Sequence, residues 1–442
     1  MKNDHFKLSL YLPAQGAAEI EATIIEWSVS EGDHFERGQV LAQIESAKSV
    51  FDFEAPCEGW LIRLLHLEGE TVSFTEPVLE IETSDPSMKD WIPPAADHSE
   101  ANPYVGSAPA EDPDSGIDTR TVMLGLGGYL PERVVTNAKL TEAFPEITDE
   151  YIYQVTGIRQ RHWAEKGEKP SDLACAASLE AIRKSGIATK DIDAIILATT
   201  TPDMAMPSTA CILQDRLSLA GIPAFDLNAA CSGWLYAVSM ARGMITSGIA
   251  RNVLTVGVDM QSQLLDRSDR STYFIFGDGA GAAIISGVAP GHTGHRIRHV
   301  TLGTDTRGLQ MARRNQPGYL VPNGHTDFDH WIRVDGPALF RLATESFTSI
   351  IRQSIAHTGW TPEETRWVIP HQANGRILKA AAKRSGISLD RFYLNIEGTG
   401  NTSSASIPLA LLEIENDLKP NDKLILCSVG AGITTAAIAV EW

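Results

Sequence analysis

Between residues 84 and 118 the chain carries six prolines (86, 93, 94, 103, 109, 113) among Ala, Ser and Gly, with few apolar side chains. Such a stretch holds no core and sustains neither a helix nor a central strand, so it divides the chain into two separate folding problems. Treated as a flexible coil of 35 residues, its root-mean-square span is roughly 30–35 Å. A tether of that reach would keep whatever it carries near a site at about millimolar effective concentration. The sequence is therefore read as residues 1–83, a Pro-rich acidic linker over 84–118, and a body over 119–442.

The charge follows the same division. The net charge is −19, and residues 1–118 hold 6 Lys/Arg against 24 Asp/Glu, while the rest holds 31 against 32. An acidic front and a neutral body exclude nucleic acid as the expected partner. No apolar run approaches membrane-spanning length, and the start, MKNDHFKLSLYLP, lacks a signal-peptide core. Five cysteines (57, 175, 211, 231, 427) show neither paired nor metal-type spacing. The expectation is a cytoplasmic protein with no metal and no membrane association.

In the first 83 residues a pattern recurs about 37 residues apart: Glu31-Gly32, Val40-Leu41 and Ile44-Glu45, then Glu68-Gly69, Val78-Leu79 and Ile81-Glu82. Alternating stretches such as Val40 to Ile44 and Trp60 to Leu64 read as short strands, with glycines and acids at the turns. Two such halves predict a small quasi-symmetric β-barrel or sandwich. Lys48, in Glu45-Ser46-Ala47-Lys48-Ser49, falls between them at a hairpin tip. An exposed lysine there offers an amine for amide attachment, or is simply solvated. In this setting residues 6–83 resemble the biotinyl/lipoyl attachment domain, through Leu12-Pro13, Glu31-Gly32-Asp33, the lysine tip, Ala55-Pro56 with Gly59, and Glu68-Gly69-Glu70. Ala47 and Ser49 stand where the biotin form has methionines, so the resemblance implies lipoate on Lys48.

From 119 onward strand-like runs (Thr121 to Leu126, Ala194 to Thr199, Val253 to Val258) alternate with helix-like ones (Ser171 to Lys184, Pro207 to Ala220, Pro337 to His357). An α/β body follows. Ala229-Ala230-Cys231-Ser232-Gly233 joins an apolar strand to an amphipathic helix at Trp234 to Ile245, which sets Cys231 at a helix start. The helix dipole there favours thiolate, so the residue reads as a nucleophile or as a buried structural cysteine. Gly125-Leu126-Gly127-Gly128 is followed by Tyr129-Leu130-Pro131 rather than a helix start, which rules out a dinucleotide loop. Gly277 to Gly281 lacks the Lys-Ser/Thr of a phosphate loop, and its small residues instead permit close backbone packing. His371, in Pro370 to Asn374, and Asn401, in Gly398 to Ser406, each stand on a loop ending a regular element.

Residues 119–442 are similar over their whole length to β-ketoacyl-acyl carrier protein synthase III of the thiolase superfamily. The match runs through Thr156-Gly157-Ile158-Arg159, Arg161-His162, Ala229 to Gly233, Ile275 to Gly281, Pro370 to Asn374 and Gly400 to Ser406. The resemblance implies a five-layered αβαβα thiolase-like domain, a homodimer and an acyltransferase. It makes Cys231 the acylated nucleophile, with His371 and Asn401 at the condensation step and the backbone of Cys231 and Ala431 as oxyanion donors. It implies a coenzyme A or pantetheine thioester substrate, with Tyr151 and Arg270 at the adenine clamp. Tyr151 replaces the family's tryptophan, and Val155 replaces an arginine, which weakens that clamp. Met206 takes the place of an aromatic at the end of the acyl pocket. Arg341, Arg376, Lys383 and Arg384 match positions that dock an acidic acyl carrier protein, and Cys427 reads as structural.

The fusion implies a function beyond either half. An acyl group borne by lipoyl-Lys48, charged by a thiamine-diphosphate 2-oxoacid dehydrogenase component, would load Cys231. Decarboxylative condensation with a malonyl-type carrier-protein thioester would follow, suited to starter-unit supply in fatty acid or polyketide biosynthesis. The other readings are a non-condensing acyltransferase from lipoyl or coenzyme A to an acyl carrier protein, and a non-catalytic scaffold docking a 2-oxoacid dehydrogenase complex.

Overall fold

The computed structural model describes residues 5–12, 21–46, 50–73, 76–88, 121–287, 295–315 and 331–442. The chain separates into two compact units, Met1–Asp112 and Pro113–Trp442.

The first unit is all-β. Strands β1 (Phe6–Tyr11), β2 (Glu21–Trp27), β3 (His34–Phe35), β4 (Val40–Ser46), β5 (Val50–Glu54), β6 (Gly59–Leu64), β7 (Thr71–Ser73) and β8 (Pro77–Thr83) form two four-stranded sheets. Their orders are β1-β8-β6-β3 and β5-β4-β2-β7. The 37-residue repeat is written into the hydrogen bonds. Gly32 N–H donates to Leu61 O at 2.8 Å and Gly69 N–H to Ile24 O at 2.7 Å. Likewise the Glu31 carboxylate accepts from Leu64 N–H at 2.9 Å, and that of Glu68 from Trp27 N–H at 3.0 Å. Gly32 and Gly69 both have positive φ, +94° and +84°, which is why the repeat keeps glycine there. Leu41, Ile44, Leu79 and Ile81 are fully buried in one shared core. Met88, beyond the expected end at residue 83, is also buried in that core, so the unit keeps its order past the last strand. Strands β4 and β5 pair antiparallel up to Glu45 opposite Val50. Lys48 lies in their connection, outside the described residues.

In the second unit nine strands form one hydrogen-bonded series: β9 (Thr121–Tyr129), β10 (Ala194–Ala198), β11 (Ala224–Leu227), β12 (Asn252–Met260), β13 (Asp278–Gly287), β14 (His295–Thr304), β15 (Thr365–Pro370), β16 (Lys423–Gly430) and β17 (Thr434–Glu441). The order is β11-β10-β12-β13-β9-β14-β17-β16-β15. Only two residue pairs, His295 with Met123 and Arg296 with Val122, join β9 to β14, so the nine strands fold as two sheets linked at that edge.

Side-chain alternation shows the layers. Ala194, Ile196 and Ala198 of β10 enter the same core as Leu424 and Leu426 of β16, together with helices α3 (Gly233–Thr246) and α6 (Ser406–Ile414). Ile195 and Leu197 face the opposite way, onto α1 (Pro170–Ser185) and α2 (Thr209–Arg216). Ile425 and Cys427 of β16 face α4 (Gly336–Thr358) and α5 (Gly375–Ser385). Two sheets, a shared middle helix layer and two outer helix layers give the αβαβα thiolase-like arrangement. Helix α2 ends at Arg216 rather than near Ala220, because Ser218 turns to φ +54°. In the Gly277 to Gly281 run, a Cβ on Gly281 would stand 2.5 Å from Pro408 Cγ and one on Gly277 2.5 Å from Thr399 O. Close packing, not phosphate binding, accounts for those glycines. Among the described residues no helix is long and apolar enough to cross a membrane, no group of His, Cys, Asp and Glu could hold a metal ion, and no disulfide forms.

Candidate active site

The strands of each sheet end where the helices of the middle layer begin, and small residues there let the two halves approach. Cys231 sits in the single turn Ala230–Ser232 between β11 and α3. The residue before it, Ala230, is held at φ +49°, a left-handed conformation that a side chain adopts only under constraint. From the other half comes the Val429 to Gly432 turn. A Cβ on Gly430 would stand 2.9 Å from Cys231 N and 3.0 Å from Ala229 O, so only glycine allows this approach. Thr434 Oγ1 donates to Ala229 O at 2.8 Å, and Ser428 Oγ to Cys231 O at 3.0 Å, tying the turn to β16 and β17.

A cavity of about 250 Å³ opens onto this turn, and its lining includes Cys231, His371, Asn401 and Ala431. The four residues singled out from separate motifs therefore share one space. Ile275, Phe276, Leu339, Ala343 and Phe347 supply much of its apolar wall.

His371 is buried, and its Nδ1 lies 2.7 Å from Ser406 Oγ. Ser406 Oγ also accepts from Gln372 N–H at 3.4 Å, and its own proton has no other acceptor among the described residues. The hydroxyl accordingly donates to Nδ1, and the imidazole carries its proton on Nε2. Burial pushes the imidazole down to about 3, so His371 is neutral at any working pH. Asn401 Oδ1 accepts from Ser403 N–H at 2.8 Å. Its Nδ2 makes only a long bond, 3.4 Å, to Ala373 O, which leaves the amide as a donor. The site thus offers two neutral donors in a low-dielectric space.

The thiol differs from the expectation. Burial pushes Cys231 up from the usual 9.0 to about 12, Asp259 adds to the rise, and a hydrogen bond from Ser403 Oγ at 3.5 Å opposes it. A helix N-terminus is worth about 0.3–1 kcal/mol, less than one pKa unit. Desolvation wins, and the resting residue is a thiol rather than the thiolate that its place in the chain predicts. Cys427 is buried with its thiol also pushed up, and its carbonyl accepts from His371 N–H at 2.7 Å, which is a structural role.

Several contributors escape sequence reading. Ser403, itself at φ +53°, touches the thiol, and Ser406 sets the imidazole tautomer. Asp259 is fully buried; it accepts from Ser404 Oγ at 2.7 Å, and from Thr200 N–H and Oγ1 at 2.7 Å each. It thereby joins the ends of β10 and β12 to the loop carrying Asn401. Both serines lie in the Gly398 to Ser406 run, whose density of hydroxyls is the signal that was available.

The remaining expected residues stand apart. Tyr151 is half exposed on a surface helix, and Arg270 is exposed with Glu146 at 3.8 Å; neither lines the cavity. Met206 is 84% exposed and likewise outside it. Arg341 on α4 and Arg376, Lys383 and Arg384 on α5 are exposed, with no acidic partner within 4 Å among the described residues. Helices α4 and α5 pack on one another, so the four cations belong to one helical layer.

Comparison with known proteins agrees with this geometry. A family model described as 3-oxoacyl-[acyl-carrier-protein (ACP)] synthase III matches residues 225–306, which include Cys231. Its C-terminal counterpart matches 355–442, which include His371 and Asn401. The biotin/lipoyl family model, described as biotin-requiring enzyme, matches residues 9–81. The β-ketoacyl-[acyl-carrier-protein] synthase III of Dinoroseobacter shibae is 37% identical over 332 residues, 73% of this chain and 99% of the relative. The crystal structure of 3-oxoacyl-[acyl-carrier-protein] synthase III from Aquifex aeolicus superposes with a TM-score of 0.67 at 37% identity, covering 73% of this chain and 100% of that one. The priming β-ketosynthase of the R1128 polyketide pathway gives 0.68 at 31% identity, covering 73% and 96%.

Proposed function

The chain belongs to the 3-oxoacyl-[acyl-carrier-protein] synthase III family, an acyltransferase with an N-terminal biotin/lipoyl-type domain, and from this premise we propose how its residues divide the work. Cys231 accepts an acyl group from a thioester, and the group is then condensed with a malonyl-type extender on an acyl carrier protein. The observation that carries this reading is the single cavity lined by Cys231, His371, Asn401 and Ala431.

In the first half-reaction Cys231 Sγ attacks the thioester carbonyl. The Sγ–C bond forms, the donor C–S bond breaks, and the thiol proton leaves with the departing thiol. Backbone N–H groups of Cys231 and Ala431 hold the transient oxyanion. In the second, a malonyl-type thioester loses carbon dioxide to an enolate, whose oxygen accepts hydrogen bonds from His371 Nε2–H and Asn401 Nδ2–H. The enolate carbon attacks the acyl-Cys231 carbonyl, the Sγ–C bond breaks, and the thiolate takes up one proton from solvent. Neutral donors suit an enolate formed and consumed in place, since neither needs to be reprotonated between turnovers.

Lys48 would be the residue that holds the donor, as a thioester on a covalently attached group. The β4–β5 hairpin fits a covalently attached group, because its strands pair as far as Glu45 and Val50 and the sequence puts one lysine between them. A lipoyl group there would supply a dithiol able to bear an acyl group handed over by a 2-oxoacid dehydrogenase component. Coenzyme A becomes the lesser donor, in keeping with Tyr151 and Val155 in place of the family's tryptophan and arginine. Arg341, Arg376, Lys383 and Arg384 would receive the acidic carrier protein that holds the extender.

Asn401→Ala tests the division of labour. It should abolish condensation while intact mass still shows an acyl increment on Cys231; equal loss of both steps refutes it. Peptide mapping after co-expression with a lipoylating system tests the donor. An unmodified Lys48 under conditions that modify a control domain removes lipoate from the scheme.

A further inference from the structure

The cavity at Cys231 is apolar over most of its wall, yet Arg314 and Gln261 also line it. The two are joined through Thr200. Arg314 Nη2 donates to Thr200 O at 2.7 Å, and Gln261 Nε2 donates to Thr200 Oγ1 at 2.8 Å. Thr200 in turn donates both its N–H and its hydroxyl to Asp259, which holds Ser404, the neighbour of the Ser403 that touches the thiol. A fixed chain of hydrogen bonds therefore ties the guanidinium to the reacting centre.

The fold shows elsewhere how it buries an arginine for structure alone. Arg161 is fully buried and gives its protons to Val135 O, Asn137 Oδ1 and Phe274 O, at 3.2, 2.8 and 2.6 Å. Among the described residues, half-buried Arg314 makes one hydrogen bond from its five N–H donors and has no carboxylate within 4 Å. Asp259, the acid that acts on it through space, has its own oxygens taken by Thr200 and Ser404. Desolvation pushes the Arg314 guanidinium down, as expected for a cation short of a counter-charge. A planar fork with open donors in an apolar space matches the two oxygens of a carboxylate.

We propose that the acyl group loaded on Cys231 ends in a carboxylate, which Arg314 binds inside the cavity with Gln261 beside it. The substrate class is the half-thioester of a short dicarboxylic acid. The inference rests on the reading of Cys231 as the acylated thiol, and it names the substrate of that same site. Loading follows the balance given above, with the distal carboxylate unchanged.

The test uses the full-length protein and N-acetylcysteamine thioesters, with acyl-Cys231 followed by intact mass. Succinyl and glutaryl groups are set against their neutral isosteres, 4-methylpentanoyl and 5-methylhexanoyl. Wild type should load the acids roughly 10- to 100-fold faster, the range of a charge-assisted hydrogen-bonded pair. In Arg314→Gln that ratio should fall to near one, and Arg314→Lys should keep part of it. Equal loading of acids and isosteres by the wild type overturns the proposal, and this measurement needs no variant to fold. A ratio unchanged in Arg314→Gln, with condensation alone reduced, would assign the guanidinium to the extender's carboxylate and overturn it as well. No increment on Cys231 from any thioester would instead refute the underlying nucleophile assignment.

Discussion

Replacing Gly430 by alanine probes the contact between the two halves of the body beside the nucleophile. The added Cβ would stand 2.6 Å from Thr434 Oγ1, 2.9 Å from Cys231 N and 3.0 Å from Ala229 O. The threonine hydroxyl can rotate away, but it then gives up its bond to Ala229 O, at about 1 kcal/mol. The two backbone atoms have no such freedom, so the turn bearing Cys231 must retreat by roughly half an ångström. Overpacking of this kind costs about 1–3 kcal/mol, which the body should survive. Displacement matters more for chemistry, since a shift near 1 Å costs about 100-fold in rate. The expected result is a 10- to 100-fold slower acylation of Cys231, measured by rapid quench and intact mass, with a melting temperature lowered by only a few degrees. Gly243→Ala is the control: it lies inside α3 with nothing within 4 Å of its Cβ position, and the change should leave acylation untouched. Acylation within twofold of wild type in Gly430→Ala would show that the turn is not held where the structure puts it.

Ser406→Ala removes the proton donated to His371 Nδ1 and frees the imidazole to change tautomer; condensation should fall 10- to 100-fold while acylation of Cys231 persists, as followed by product formation and intact mass. Because burial pushes the Cys231 thiol up to about 12, its alkylation by iodoacetamide should rise about tenfold per pH unit from pH 7 to 10, and a plateau near pH 7 would contradict that. His295 stacks on Trp442 with centroids 3.4 Å apart, and burial pushes it down to about 4. The folded state then binds fewer protons than the unfolded one between about pH 4 and 6.5, so its contribution to stability is present above pH 6.5 and lost as pH falls through that window. Urea midpoints of His295→Phe should therefore decline less over that range than those of wild type; parallel curves would refute it.

What was legible in the sequence was local. The 37-residue repeat fixes glycine turns and inward-facing positions within each half, so the two-sheet domain followed from residues such as Gly32, Gly69, Leu41 and Leu79. Strand and helix positions of the body were readable because buried strands such as β10 are apolar on both faces and bounded by polar turns. Cys231, His371 and Asn401 stood out because each stands on a loop at the end of an element and those loops carry the motifs of the resemblance. The missing parts depend on contacts between distant segments. Ser403 and Cys231 are separated by 172 residues and Asp259 and Ser404 by 145, and no local pattern marks either pair. The sign of the thiol's perturbation failed for the same reason: a helix start is visible in sequence, whereas the side chains that crowd the thiol come from both halves.

The raised thiol bears on how acyl groups are selected. A neutral thiol beside a neutral imidazole gives no standing ion pair to accelerate attack, so acylation depends on how the thioester carbonyl is seated against the Cys231 and Ala431 backbone. A donor delivered on a tether at about millimolar effective concentration needs little affinity of its own. An untethered coenzyme A thioester would need a grip on the nucleotide, and where the family resemblance expects tryptophan and arginine this chain has Tyr151 and Val155. Discrimination among acyl groups then falls to the cavity wall, where the polar cluster of Thr200, Gln261 and Arg314 is the most specific chemistry on offer. If Lys48 is the donor, loading should fall little when the surface at Tyr151 and Arg270 is altered, and much when Arg314 is.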